Sequence, residues 1–122
     1  MAVRFPIVTI LLFAVLFVAV REIPASLHRV TGDSMVPTMH DGETIVVNRF
    51  AYRFFAPQPG DLLVFRDPGT SKLAVKRVTD LVAGSRVYLT GDNPTESVDS
   101  RHLGGIATDS IVGRVLFRGY RR

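Results

Sequence analysis

Residues 5–20 constrain the fold of this chain most, because they form an apolar run in which Thr9 is the only polar side chain. As an α-helix, these 16 residues span about 24 Å, which is shorter than the hydrocarbon core of a bilayer at about 30 Å. Arg4 and Arg21 flank the run and can extend toward the headgroups. The run therefore predicts a short apolar helix that a locally thinned bilayer can accommodate.

Three interpretations of this segment compete: a cleaved signal peptide, a buried core helix and a membrane anchor. A cleaved signal peptide needs small residues at its cleavage site, whereas the candidate site at 23–25 offers a bulky residue and a proline. A core helix would normally carry a polar face. We therefore interpret residues 1–26 as a single-pass membrane anchor with a short tether at 23–26, followed by one domain at 27–122. The orientation is weakly specified, because Arg4 is the only basic residue ahead of the run.

The composition of the chain limits its chemistry further. The formal net charge is +4 and the sequence pI is about 10.1, which suits either nucleic acid or an anionic lipid surface. No nucleic-acid recognition motif is visible. The chain has no cysteine, and its three histidines are far apart in the sequence. We therefore expect no metal, no cofactor and no nucleic-acid partner, but contact with membrane lipid.

Short strands separated by turn residues follow the apolar run. The pattern predicts extended segments at 27–30, 43–48, 62–65, 73–79, 86–90 and 111–117, with turns at 41–42, 57–61, 67–70 and 83–85. No convincing amphipathic helix is visible after the run. The sequence therefore predicts an all-β domain, built as an antiparallel sheet or a partly closed barrel. Residues 49–55 mix aromatic side chains with arginines, which is typical either of core positions alternating with solvated charges or of a surface at a membrane interface.

Residues 31–38 place a serine on a stiff corner of the chain. Gly32 and Asp33 favour a tight bend, and Pro37 keeps Val36 out of the helical region. Ser34 is therefore expected to be held on an exposed turn, which suits a nucleophile but also fits an ordinary turn serine. Catalysis requires a second group that accepts the proton of the serine.

Lys76 is the candidate for that second group. In the predicted strand at 73–79, alternation places Ala74, Lys76 and Val78 on one face. Burial between apolar neighbours disfavours the ammonium form, and the charge of Arg77 acts in the same direction. A lysine that is neutral near pH 7 can serve as general base for a serine hydroxyl. The strand alone also fits an exposed lysine.

The third candidate stretch is the polar segment 91–101. Ser97 is placed to hydrogen-bond a neutral lysine amine, and Asp99 can pair with Arg101, two residues away. A solvated loop or a weak calcium loop are alternatives, although the carboxylates do not follow the spacing of an EF-hand.

Taken together and in order, these stretches resemble the bacterial type I signal peptidases, which are membrane-bound serine–lysine endopeptidases. Residues 32–38 look like the nucleophile box and residues 59–65 like the strand box that follows it. Residues 76–78 look like the general-base box and residues 91–101 like the last box. The resemblance covers residues 27–118 and the apolar run.

The resemblance implies roles for individual residues. Ser34 would be the nucleophile, Lys76 the general base, and Ser97 the residue that orients the lysine. The bracing pairs would be Arg77 with Asp92, and Asp99 with Arg101. Val30, Met35 and Val75 would line the substrate site. Gly32 stands where some members carry an oxyanion-hole serine, so the hole would rest on the Ser34 N–H and other main-chain donors.

The resemblance also implies a partly closed, signal-peptidase-like barrel on the outer face of the plasma membrane. The substrate would be the signal peptide of an exported preprotein, bound as an added strand between 27–30 and the strand leading to Lys76, and cut after small residues at −1 and −3. Because the segment between Lys76 and Gly91 is very short, the chain also resembles the compact proteases that remove the leader of nickel-type superoxide dismutase. A dedicated maturation protease therefore stays open. A peptide-binding module without catalysis is disfavoured by the paired Ser34 and Lys76.

Overall fold

A computed structural model describes residues 4–21 and 24–119 of the chain. Helix α1, Arg4–Arg21, contains the apolar run, and its side chains from 6 to 19 are all exposed. Within the described residues, no helix combines the length and apolarity that crossing a membrane requires. The membrane anchor therefore stays a prediction. Residue 23 of the candidate cleavage site lies outside the described residues. So do residues 1–3 and 22 of the predicted anchor and residues 120–122 of the predicted second domain.

The rest of the described chain is mostly β. Seven strands form one antiparallel sheet in the order β1-β2-β7-β3-β4-β5-β6. The strands are β1 Ala25–Arg29, β2 Thr44–Asn48, β3 Leu62–Arg66, β4 Leu73–Val82, β5 Arg86–Thr90, β6 Ile106–Ala107 and β7 Ile111–Arg118. Two single-turn helices interrupt them, α2 Ala51–Phe54 and α3 Ser100–Leu103. The predicted antiparallel, mostly β architecture is confirmed.

The strand boundaries differ from the predicted ones by more than one residue at two places. β1 begins at Ala25, because Ala25 and Ser26 pair with Asn48 and Val47 of β2. The Pro24 carbonyl also accepts a hydrogen bond from the Arg49 N–H at 2.7 Å. The predicted tether at 23–26 is therefore wrong for its last two residues, which already belong to the sheet. β4 extends to Val82 because its C-terminal half pairs with β5.

The sheet separates two hydrophobic clusters, because alternate side chains of each strand point to opposite faces. On β3, Val64 joins a cluster with Met35, Met39, Ile45, Val47 and Val30. Leu63 and Phe65 point the other way, into a cluster with Val78, Val87, Leu89 and Ile106. Burying each such side chain contributes about 1.5–3 kcal/mol. The first cluster fixes the turn that carries Ser34, and the second fixes the strand that carries Lys76.

The pairing pattern leaves two strand edges free beside each other. Among the strands that the structure describes, β1 is the terminal one and pairs only with β2. β4 pairs with β3 along residues 73–77, but β5 joins it only from Arg77 onward. Residues 73–76 of β4 are therefore unpaired on the β5 side. The sheet curls so that β1 and this part of β4 line one cavity, although three strands separate them in the sheet order.

Candidate active site

The turn that carries Ser34 is anchored from below by two methionines. Met35 and Met39 are almost completely buried in the first hydrophobic cluster. Hydrogen bonds close the turn, from the Val36 N–H to the Asp33 carbonyl at 3.2 Å and from the Met39 N–H to the Met35 carbonyl at 3.0 Å. Ser34 is half-buried at the rim of this turn. The predicted turn around Ser34 is therefore present in the structure.

Gly32 begins this turn with a positive φ of 83°. An added Cβ would meet nothing within 4 Å, so the backbone conformation, and not a lack of space, requires glycine here. The Gly32 N–H donates to Asp41 Oδ1 at 2.8 Å. A serine at this position would therefore carry backbone strain.

A groove of about 260 Å³ opens beside Ser34. Its walls come from β1 and the unpaired part of β4, and its floor from the Ser34 turn. The three residues predicted to line the substrate site all lie in this groove, together with the serine: Val30, Met35, Val75 and Ser34, with His28, Arg29, Thr31, Val64, Leu73 and Ala74 completing the lining. The groove therefore combines a candidate nucleophile with two free strand edges.

Lys76 directly follows the groove-lining residues of β4. The predicted burial is confirmed, since only 5% of its surface is exposed. Burial lowers the pKa of the lysine amine, Asp99 and Asp67 act in the opposite direction, and the nearby Arg101 charge lowers it further. Among the described residues, Lys76 forms no ion pair and no hydrogen bond to Ser34. Catalytic contacts are often long in an unliganded site and shorten only when substrate binds.

Gly91 is the point where the candidate residues converge. In the β4–β5 register Arg77 pairs with Thr90, the last residue of β5, and Gly91 follows directly. A Cβ at Gly91 would overlap Ser97 Oγ and would lie 2.5 Å from the Ser34 carbonyl oxygen. Only a residue without a side chain allows the Ser34 turn, Ser97 and the strand of Lys76 to approach this closely.

Asp99 organises the polar segment next to Lys76. Its side chain is buried and accepts hydrogen bonds from Ser97 Oγ at 2.6 Å and from the Gly91 N–H at 2.7 Å. Arg101 donates from Nε at 2.9 Å and from Nη2 at 2.5 Å. Burial alone would raise the pKa of Asp99, but these donors outweigh it and hold that pKa well below its usual value. Asp99 is therefore a buried carboxylate with a full set of donors.

A second ion pair holds the same segment against the turn that carries Ser34. Arg77 Nε and Nη2 each lie 2.9 Å from an oxygen of Asp92. Thr38, which also belongs to the Ser34 turn, donates to Asp92 as well. The Arg77 guanidinium, helped by the Thr38 hydroxyl, lowers the pKa of Asp92 against the effect of burial. This pair connects β4, the segment after β5 and the Ser34 turn.

These contacts include both of the expected ion pairs but not the expected contact between Ser97 and Lys76. The expected partners Arg77 and Asp92 are in contact, and so are Asp99 and Arg101. The Ser97 hydroxyl, expected to orient Lys76, instead donates to Asp99. Its role in orienting the lysine therefore stays a prediction. Sequence reasoning missed Asn93, which hydrogen-bonds the backbone of Asp33 and Ser34, and its only local signal was a polar residue in a turn-rich segment.

Comparison with known proteins assigns the chain to a class of enzymes. Residues 4–84 and 79–120 match the family model described as "Signal peptidase, peptidase S26". These two matched segments meet at residues 79–84, in the hairpin that joins β4 to β5. The chain therefore falls among the peptidases.

Individual relatives agree with this assignment. The chain is 32% identical over 110 aligned residues to mitochondrial ATP-independent inner membrane protease subunit 1b of Arabidopsis thaliana, with 71% of this chain and 65% of that protein covered. It is 26% identical over 148 residues to probable signal peptidase I-1 of Synechocystis sp., with 85% and 76% covered. It is 26% identical over 154 residues to signal peptidase I of Leptolyngbya laminosa, with 90% and 76% covered. The chain spans less than two thirds of the length of the first of these relatives.

The chain belongs to the signal peptidase family, peptidase S26. The predicted family and its peptidase class are thereby confirmed.

Proposed function

We propose that this protein is a membrane-anchored serine endopeptidase that removes signal peptides from exported preproteins. The observation that carries the proposal is the groove beside Ser34, which lies between the free edge of β1 and the unpaired edge of β4. An extended peptide can add to such edges by main-chain hydrogen bonds, while alternate side chains enter pockets. Met35, Val30 and Val75 line the groove, and in this proposal they accept the small side chains at −1 and −3.

In this proposal Ser34 is the nucleophile and Lys76 the general base. The neutral Lys76 amine takes the proton of Ser34 Oγ, and Oγ attacks the scissile carbonyl carbon. The Ser34 N–H donates to the oxyanion that forms. The protonated lysine then passes its proton to the leaving amine, and water hydrolyses the acyl-enzyme ester. Burial supports the base role, because it favours the neutral amine.

Two features support location at a membrane surface. The apolar helix α1 ends at Arg21, four residues before β1 begins, so the catalytic groove cannot lie far from it. Phe54 and Phe55, each 78% exposed, and Leu116 surround a cavity of about 920 Å³ that also includes Pro24, close to the end of α1. Exposed aromatic rings of this kind suit the headgroup region of a bilayer. We place the domain on the outer face of the cell membrane.

The test is cleavage of two precursors by the full chain in vesicles. One precursor carries a signal peptide with alanine at −1 and −3, and the other is soluble with a short polar leader. We expect the first to be cut and Ser34→Ala or Lys76→Ala to abolish the cut. The double variant should be no worse than either single one, because the two residues act as a unit.

Matched controls are available on the same chain. Lys72→Ala and Ser110→Ala remove a lysine and a serine outside the groove and should leave cleavage unchanged. Normal activity in Lys76→Ala would contradict the serine–lysine mechanism. Cleavage of the soluble precursor alone would instead favour a dedicated maturation protease.

A further inference from the structure

One side chain outside the proposed dyad holds the nucleophile turn from the far side. Asn93 lies in the segment after β5, three residues beyond the end of that strand. Its backbone N–H donates to the Ser34 carbonyl at 2.9 Å. Its side-chain Nδ2 donates to the Asp33 carbonyl at 3.0 Å. Two consecutive carbonyls of the turn are therefore held by a single residue.

The second of these bonds acts on the proposed oxyanion donor. The Asp33 carbonyl and the Ser34 N–H belong to one planar trans peptide unit, so they point in opposite directions. A hydrogen bond that fixes the carbonyl also fixes the direction of the N–H. We propose that Asn93 is a positioning residue that aims the Ser34 N–H at the oxyanion by holding the Asp33 carbonyl. This inference rests on the proposed function, in which Ser34 is the nucleophile.

The local turn cannot supply this constraint alone. The Asp33 carbonyl also accepts from the Val36 N–H at 3.2 Å, but that bond lies inside the turn and moves with it. Asn93 belongs to the segment that follows β5, whose last residue pairs with Arg77, next to Lys76. Its bond therefore fixes the peptide unit relative to the strand of the proposed base. The two lone pairs of the carbonyl accommodate both donors.

The Asp33 carbonyl sets the orientation of the Asn93 amide, because a carbonyl only accepts and Nδ2 must therefore face it. Thr95 Oγ1 donates to the remaining Oδ1 at 3.1 Å. Asparagine is the residue that suits this position, because aspartate has the same shape but no donor. The substitution Asn93→Asp would place a carboxylate oxygen, which only accepts, against the Asp33 carbonyl. This shape-matched variant therefore separates the donor from the volume.

The experiment compares Asn93→Ala and Asn93→Asp with the wild-type full chain in detergent. The kcat and KM for the signal-peptide precursor are measured, together with the affinity for a peptide aldehyde whose adduct with serine carries the oxyanion. Loss of a complete oxyanion donor costs about 10²–10³ in kcat, so a misaimed donor should cost about 10–100-fold. We expect that loss in kcat for both variants, an equal loss in aldehyde affinity, and KM within about twofold of wild type.

Gln58→Ala is the matched control, since Gln58 Nε2 also donates to a backbone carbonyl, that of Ala56 at 3.3 Å, away from the groove. It should leave kcat unchanged. The proposal is overturned if either Asn93→Ala or Asn93→Asp has the kcat of the wild type. It is also overturned if circular dichroism shows both variants unfolded, because Asn93 would then be structural. If Ser34→Ala itself still cuts, the proposed function fails first; if Ser34→Ala is inactive and Asn93→Ala is normal, only the role of Asn93 fails.

Discussion

The buried carboxylate of Asp99 provides the sharpest test of what holds the polar segment 91–101 together. Asp99→Asn keeps the shape of the side chain but removes its charge, and its amide group meets donors where the carboxylate accepted them. Ser97 Oγ, the Gly91 N–H and Arg101 Nη2 all donate to Oδ2, whereas Arg101 Nε donates to Oδ1. Because an asparagine keeps only one acceptor oxygen, one of these two sets of donors loses its acceptor. The variant should therefore loosen the segment after β5 as well as destabilise the fold.

The size of the effect follows from the burial of the two partners. Breaking a buried ion pair costs about 3–5 kcal/mol. Asp99 is buried, but the Arg101 side chain is 33% exposed, and water can replace part of what it loses. We therefore expect a loss of about 2–3 kcal/mol, or about 10–20 °C in Tm for a domain of this size.

The pH dependence of this loss has a definite sign. Because the folded-state pKa of Asp99 lies below its unfolded value of about 3.9, its ionised form stabilises the fold above that value. The contribution disappears as pH falls through the folded-state pKa. The wild type and Asp99→Asn should therefore differ most near pH 7 and become more alike in acid.

Thermal unfolding followed by circular dichroism, at several pH values, measures both effects. Asp109→Asn removes an exposed carboxylate and serves as the matched control. If Asp99→Asn costs no more than Asp109→Asn, or if its cost is the same at every pH, the network around Asp99 does not stabilise the segment as argued.

Three further predictions concern the proposed base Lys76, the close approach at Gly91 and the proposed membrane surface around Phe54. The cleavage rate should rise with pH through the lowered pKa of Lys76, as the neutral amine forms, and a rate that is flat from about pH 6 to about pH 10 would exclude a titrating lysine base. Gly91→Ala should cost about 1–3 kcal/mol in unfolding free energy and most of the cleavage activity, because the new Cβ would lie 2.5 Å from the Ser34 carbonyl oxygen. Gly69→Ala is the control and should be nearly neutral in both assays, because its Cβ would approach only the Asp67 side chain, at 3.3 Å. Since the chain has no tryptophan, the variants Phe54→Trp and Val82→Trp each introduce a single fluorophore that reports contact with brominated lipid in vesicles. We expect the lipid to quench the tryptophan at 54 and not the one at 82. Equal quenching of both would refute the proposed membrane surface.

The local patterns of the sequence predicted most of the strands and the burial of Lys76. Alternating side chains and turn residues located six strands, and the flanking Ala74 and Val78 correctly indicated a buried Lys76. The two-residue strand β6 and the single-turn helices were not predicted, because so few residues show no periodicity. The start of β1 was placed too late, since Ala25 is ordered by pairing with β2 and not by any apolar pattern of its own.

Contacts between distant segments were harder to predict from the sequence. The Asn93 side chain bonds the carbonyl of a residue 60 positions earlier, and the local sequence shows only a polar residue in a turn. The Ser97 hydroxyl was expected to face Lys76, but Asp99, two residues away, is the stronger acceptor and takes its hydrogen bond. Which acceptor a hydroxyl chooses depends on charges that the fold brings together.

The free edge of β4 and the electrostatic setting of Lys76 have the same structural origin. After Thr90 pairs with Arg77, a longer β5 would place Gly91 against Lys76 and cover that edge. Instead the Gly91 N–H donates to Asp99 at 2.7 Å. The chain then turns toward the Ser34 turn, where the Asn93 N–H donates to the Ser34 carbonyl. Residues 73–76 are thereby left open to an added strand, and the carboxylate that diverts the chain is the one whose charge opposes the lowering of the Lys76 pKa. Arg101 pairs with that carboxylate and its own charge lowers the pKa of Lys76, so burial remains the largest influence on that pKa and lowers it.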